Sequence, residues 1–134
     1  MQYFPIFLNA SQINALIIGG GDVAARKIEL LLKTTTQLTI VSEALSPTVE
    51  RLIKNNNLTW LPHNYQTGLM DNKNLVIAAT DDEAVNAEVS KEAASLNLLV
   101  NVVDQPELCS YITPAIIDRS PMIVAISSSG SSPV

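Results

Sequence analysis

The sequence predicts an α/β domain: a parallel β-sheet with helices on both faces, followed by a short antiparallel hairpin. Three observations predict it. Strand-sized aliphatic runs alternate along the chain with segments of helical apolar spacing. Most of these runs are apolar at consecutive positions, as strands buried on both faces are. A glycine-rich turn, Gly19-Gly20-Gly21, joins the first run to the first helical segment.

The elements follow in order. Residues 14–18 read as a buried strand entering that turn. From 22 to 33 the spacing is helical, with Val23, Ala24, Ile28, Leu31 and Leu32 on one side and Arg26, Lys27, Glu29 and Lys33 mainly elsewhere. Residues 37–42 form a second strand rich in β-branched side chains. Ser46 is placed to cap a helix that opens on Pro47, runs to about Lys54 and is ended by Asn55-Asn56-Asn57. Residues 58–61 are a short third strand, and 62–73 carry no readable pattern. A fourth strand covers 74–79. A helix covers 82–95, with Val85, Val89 and Ala93 four residues apart, and a fifth strand covers 98–103. Residues 111–117 and 122–127 then read as extended around a turn at Asp118-Arg119-Ser120-Pro121, with no helix between them. This break suggests a division into 1–113 and 114–134.

The 134 residues and 14.4 kDa suit one domain. With 47% hydrophobic residues and a mean hydropathy of +0.23, the chain is too apolar for a disordered tail and implies a heavily buried core, a subunit interface or both. A net charge of −5 and a pI near 4.6 argue against general nucleic-acid binding, which relies on basic contacts to phosphates. A single cysteine, Cys109, excludes an intrachain disulfide framework and a Cys-rich zinc site; a single histidine, His63, argues against a His-cluster metal site. Cys109 reads as a small buried apolar residue and His63 as a loop residue away from the strand edges. No targeting segment is visible, and no apolar run approaches the ~20 residues of a membrane helix, so the expectation is a soluble cytoplasmic protein.

The stretch G-G-G-D-V-A at 19–24 fits the dinucleotide pattern G-x-G-x-x-G/A, with Gly19, Gly21 and Ala24 in the marked places. It sits between a predicted strand and a predicted helix, the context that gives the pattern meaning, and the sheet it implies is Rossmann-like. Gly19 permits the sharp turn, Gly21 lets backbone approach a pyrophosphate, and Ala24 lets the helix pack close to the strand. The first free amides, near Asp22 and Val23, then face the phosphates. The Asp22 carboxylate would repel them, so its side chain is expected to turn away and cap the helix. A glycine turn without a ligand is the alternative. At the end of the second strand, Glu43, followed by Ala44, is the candidate for the ribose hydroxyls; the alternative is a solvated loop carboxylate. No arginine is adjacent to take a 2′-phosphate, which favours NAD over NADP. Thr80 and Asp81, past the fourth strand, are candidates for the nicotinamide side, with Asp82 also able to cap the following helix.

Together, G-G-G-D-V-A-A-R-K (19–27), A-A-T-D-D-E-A-V-N (78–86), N-V-V-D (101–104), I-I-D-R-S-P (116–121), S-S-S-G-S-S-P-V (127–134) and the opening Phe4-Pro5-Ile6-Phe7 resemble the siroheme synthase family, in its N-terminal precorrin-2 dehydrogenase/sirohydrochlorin ferrochelatase module. The resemblance covers essentially the whole chain. It implies a Rossmann domain followed by a dimerisation region and a small helical domain, with the active site between the Rossmann domain and elements of a partner subunit. It implies NAD as cofactor, oxidation of the tetrapyrrole precorrin-2 to sirohydrochlorin, insertion of ferrous iron, and a homodimer. It also implies that the chain stops within the dimerisation region, short of the helical and methyltransferase domains.

Asp104, just past the fifth strand, matches the family's catalytic aspartate and could serve as general base in both steps; organising the turn before Pro106 is its alternative. Asn101, on that strand, would support the site by hydrogen bonding. The substrate carries many carboxylates while the chain is acidic, so local positive charge is needed, and Arg119 is the candidate. Ser128, in the serine-rich stretch 127–132, could contribute donors near the site, and its phosphorylation would repel an anionic substrate. Two other functions fit parts of the sequence: an NAD(H)-sensing regulatory module, and a dimerising scaffold without chemistry.

Overall fold

The central strands are short and apolar, so both of their faces have to be covered. A computed structural model describes residues 1–129. Its strands β1 (Ala15–Ile18), β2 (Leu38–Val41), β3 (Thr59–Leu61), β4 (Leu75–Ala78) and β5 (Leu99–Val102) form one parallel sheet in the order β3-β2-β1-β4-β5. Ile17 on β1 stands opposite Ile40 and Ile77. The two-residue side-chain period of a strand then sorts the core. Ala15, Ile17, Leu38, Ile40, Leu75 and Ile77 pack with Ala24, Ala25 and Ile28 of α1 (Asp22–Leu32) and Val49 of α2 (Pro47–Asn56). Leu16, Ile18, Val41, Val76, Ala78, Val100 and Val102 pack on the other face with Val89 and Ala93 of α3 (Glu83–Ser95). The outermost strand, β3, leaves Thr59 and Trp60 exposed.

The helix ends follow their caps. Ser46 Oγ accepts a hydrogen bond from Val49 N at 3.2 Å, and Pro47 opens α2. That helix runs through Asn56, beyond the expected Lys54, because the left-handed residue that stops it is Asn57, at φ 52°. Asp82 lies outside α3 as its N-cap, accepting from Ala84 N at 3.0 Å and Val85 N at 3.2 Å. The unreadable segment 62–73 contains neither helix nor strand, and Asn74, expected in the fourth strand, lies just before it. The segment crosses the α3 side of the sheet and lays Tyr65, Leu69 and Met70 against the core there.

Past β5 the chain is tied back before it leaves the domain. Ser110 N donates to Val100 O at 2.8 Å, and Asn101 Nδ2 donates to Tyr111 O at 3.2 Å. Tyr111 is therefore held beside β5, and residues 111–114 lie outside the hairpin strands, contrary to expectation. The hairpin pairs β6 (Ala115–Arg119) with β7 (Met122–Ile126) as a separate antiparallel sheet. Arg119 stands opposite Met122, so Asp118 and Arg119 belong to the strand and the turn shrinks to Ser120-Pro121, joined by a cis peptide bond. Every residue of both strands is exposed. Among the described residues no helix is long and apolar enough to cross a membrane. The serine-rich stretch reaches past the described residues at Gly130, Ser131 and Ser132.

The β1–α1 turn is pressed against its neighbours at two glycines and open at the third. Gly19 has φ +135°, and a Cβ there would lie 2.4 Å from Ala79 O. A Cβ on Gly20 would lie 2.3 Å from Ala44 O and 2.7 Å from Ser42 Oγ. The Gly20 carbonyl in turn accepts from Ser46 N at 2.7 Å, which locks the 42–46 loop to the turn. A Cβ on Gly21 would meet no described atom within 4 Å. Gly20→Ala is expected to destabilise the fold by roughly 1–3 kcal/mol or more, and Gly21→Ala by less than about 1 kcal/mol, in urea denaturation followed by circular dichroism. Equal losses for the two variants would contradict this packing.

Candidate active site

In a parallel sheet the loops at the carboxyl ends of the strands diverge where the strand order reverses, and a crevice opens there. Here β1 is flanked by β2 on one side and β4 on the other, and the crevice is a cavity of about 680 Å³. That volume lies in the range of small-molecule and cofactor sites. Four loops wall it: the glycine turn after β1, Ser42 and 44–46 after β2, Asn64 and Tyr65 after β3, and 79–82 after β4.

Gly21 is the most informative wall residue. It is the N-cap of α1, with an ordinary extended backbone at φ −96° and ψ −165°, so neither its conformation nor its neighbours require a glycine. The missing Cβ leaves bare backbone facing the cavity. No side chain caps α1. The first-turn amides around Asp22 and Val23 are thus left for a ligand, at the positive end of the helix dipole. Ala24 is fully buried beneath them. Asp22 does not cap the helix as expected, because Gly21 occupies the capping position; it stays exposed on the wall. With Asp81 and Asp82 the wall carries three carboxylates, and no lysine or arginine is among its described residues. These walls fit a dinucleotide whose pyrophosphate is held by peptide dipoles, and they offer no cation for a 2′-phosphate.

The β2 loop departs from expectation. Ser42 and Ala44 line the cavity, but Glu43 does not. Its carboxylate accepts from Asn64 Nδ2 at 3.1 Å, which ties it to the neighbouring loop. Ser42 Oγ donates to Ala44 O at 2.6 Å, and Trp60 Nε1 donates to Ser42 O at 2.9 Å.

On the β4 side Thr80 and Asp81 do line the cavity. A residue that the sequence reading missed holds Thr80. The buried Asn86 of α3 accepts from Thr80 Oγ1 at 2.7 Å, and its Nδ2 donates to Thr80 O at 3.1 Å. The available signal was a polar residue three positions from Val89 on the apolar side of the helix. Asn64 and Tyr65 were missed for a different reason: no periodicity marks their segment. Burial and the Glu92 carboxylate together push the Tyr65 phenol well above its ordinary range.

Asp104 follows β5 at the same carboxyl edge, one strand beyond the cavity wall. It is exposed and held in the left-handed region, at φ 63°. Its neighbours fix that turn: Val103 N donates to Ala78 O at 3.1 Å and Gln105 N to Val102 O at 3.2 Å. Aspartate, like asparagine, adopts this state more readily than most side chains, so its residue type suits the turn. Asn101 is buried and spends its amide on Tyr111 O, away from the cavity lining. Burial pushes the Tyr111 phenol up, with Cys109 adding to the shift. Arg119 lies on the exposed hairpin, donating to Asp118 O at 3.0 Å, and Ser128 is exposed beyond β7. The Cys109 thiol is engaged by the backbone of Val102, whose N donates to Sγ at 3.1 Å. His63 Nδ1 sits 2.8 Å from Asn64 O. Among the described residues no group of three or more His, Cys, Asp or Glu could hold a metal ion.

Known proteins share both the sequence and the shape. A family model described as "Putative NAD(P)-binding" matches residues 6–115. The siroheme synthase of Pseudoalteromonas atlantica is 47% identical over all 134 residues, which span 29% of that protein. Siroheme synthase 1 of Serratia proteamaculans is 49% identical over the whole chain, spanning 28% of that protein. The solved structure of SirC, a precorrin-2 dehydrogenase, superposes with a TM-score of 0.81 at 25% identity, covering 98% of this chain and 64% of that one. The chain thus spans less than a third of the siroheme synthases that it matches. The glycine turn, the bare Gly21 backbone and the family match converge: the chain belongs to the NAD(P)-binding family and is a relative of the siroheme synthases.

Proposed function

We propose that this chain is the dehydrogenase part of a siroheme-forming enzyme, oxidising precorrin-2 to sirohydrochlorin with NAD as hydride acceptor and serving the later insertion of ferrous iron. The observation that supports it most is the match to siroheme synthases over every residue, together with a cofactor-sized cavity at the sheet edge that also carries Asp104, one strand away. The absence of a cation for a 2′-phosphate favours NAD over NADP.

The oxidation removes a hydride and a proton from the macrocycle. Bound NAD⁺ supplies the nicotinamide that accepts the hydride. The chain's part is to position and to move the proton. Amides at Gly21–Val23 hold the pyrophosphate, and Thr80, clipped by Asn86, sets the loop on the nicotinamide side. The Asp104 carboxylate, presented by its left-handed turn at the sheet edge, takes the proton. In the second reaction the macrocycle loses two pyrrole N–H protons as ferrous iron, a substrate, enters; the same exposed carboxylate accepts them one at a time, releasing the first to water before it takes the second. Arg119 and Ser128 are assigned to the substrate's carboxylates, and phosphorylation of Ser128 would weaken that binding. Asn101 acts from behind, by fixing the chain at Tyr111. Glu43 steadies the ribose-side loop through Asn64. The reaction belongs in the cytoplasm.

The division into 1–113 and 114–134 gives the hairpin a role of its own. An isolated two-stranded hairpin is marginal in water. This one exposes apolar side chains on both faces, with Met122 at 66% and Ile123 at 50%. We assign it to a homodimer contact.

Asp104→Ala is expected to lower turnover roughly 10²–10⁴-fold while NADH still binds. The check is NADH absorbance on mixing with NAD⁺ and precorrin-2, beside a fluorescence titration; wild-type turnover in the variant would remove Asp104 from the reaction. Gly21→Ala is expected to do the reverse, folding normally but losing nucleotide affinity. Sedimentation of the wild-type chain is expected to give a dimer and of Val124→Asp a monomer. A monomeric wild type would take the interface away from the hairpin.

A further inference from the structure

We infer that Glu92 is a positioning residue for the nucleotide pocket, acting through Tyr65 and the 62–73 segment. This rests on the reading of the cavity as a dinucleotide site. The problem it solves is local. One wall of the cavity is Asn64 and Tyr65, which belong to a segment with neither helix nor strand. A loop without regular hydrogen bonding needs an anchor if its side chains are to form a wall.

Glu92 is that anchor. It stands on α3 next to Ala93 and three residues from Val89, both fully buried against the sheet. Its carboxylate receives two donors from the segment. Tyr65 Oη donates to one oxygen, and Gly68 N donates to the other at 3.0 Å. Gly68 has φ +100°, a backbone state that side chains rarely adopt. A charged acceptor holding a hydroxyl and a backbone amide is a stronger tether than either neutral bond alone. Burial and the Glu92 carboxylate both push the Tyr65 phenol upward, which favours its protonated, donating form. The tether continues outward: Asn64, adjacent to Tyr65, donates to Glu43 at 3.1 Å and so joins this wall to the loop after β2. A rigid helix thereby sets the distance between two walls of the cavity, although Glu92 lines neither.

The test is a fluorescence titration of NADH, with amide exchange read at Gly68 and thermal unfolding in parallel. Glu92→Ala is expected to weaken NADH binding roughly three- to tenfold and to speed exchange at Gly68, with little change in unfolding temperature. Glu92→Gln keeps an acceptor oxygen and is expected to recover part of the affinity. Tyr65→Phe combined with Glu92→Ala is expected to cost less than the sum of the single changes. Unchanged NADH affinity in Glu92→Ala with faster Gly68 exchange would overturn the positioning role. Unchanged exchange would overturn the tether itself. If Glu92→Ala does not fold, unchanged affinity in both Glu92→Gln and Tyr65→Phe overturns the proposal. A wild-type chain that binds no NADH would overturn the dinucleotide reading, while exchange at Gly68 still judges the tether.

Discussion

Bare peptide at the start of α1 is the constraint around which the rest of the structure is arranged. Gly19 and Gly20 must lack side chains because Ala79 O and Ala44 O press against them. That close contact brings the loops after β1, β2 and β4 together. Gly21 lacks a side chain for no reason within the fold, and the space that it leaves opens on uncapped helix amides. The first two glycines build the crevice, and the third leaves its backbone open to it.

The surrounding charge makes that backbone more important. The chain is acidic, and the described cavity wall carries Asp22, Asp81 and Asp82 with no basic side chain. Amide dipoles at a helix start can still hold an anion, because they are fixed in place and need no reorganisation. The same acidity disfavours an additional phosphate dianion. Asp104 stands one strand away at the same edge, in a left-handed turn that suits an aspartate.

Much of this was legible in the sequence, for physical reasons. Aliphatic runs such as that ending at Ile18 can only be buried strands, and Ser46-Pro47 can hardly be anything but a helix start. The glycine pattern marked Gly19, Gly21 and Ala24 but left Gly20 as an unmarked position, because its need arises from the loop after β2, one helix and one strand further along the chain. Glu43 was misplaced for a similar reason: a carboxylate at a strand end has several partners within reach, and Asn64 takes it. Asn64, Tyr65 and Glu92 were illegible because their contacts start from an irregular segment with no periodic mark, and the apolar spacing of α3 does not single out Glu92 from its other polar residues. The hairpin was legible as two strands, but its turn was drawn too wide, since Asp118 and Arg119 pair across it.

We place a bound diphosphate on the amides at the start of α1. Backbone amide chemical shifts recorded while NAD⁺ is titrated into the isotopically labelled chain test this directly. The largest changes are expected at Gly20, Gly21, Asp22 and Val23, with smaller ones at 42–46 and at Thr80. Changes confined to the far end of the sheet, leaving the β1–α1 turn untouched, would contradict it.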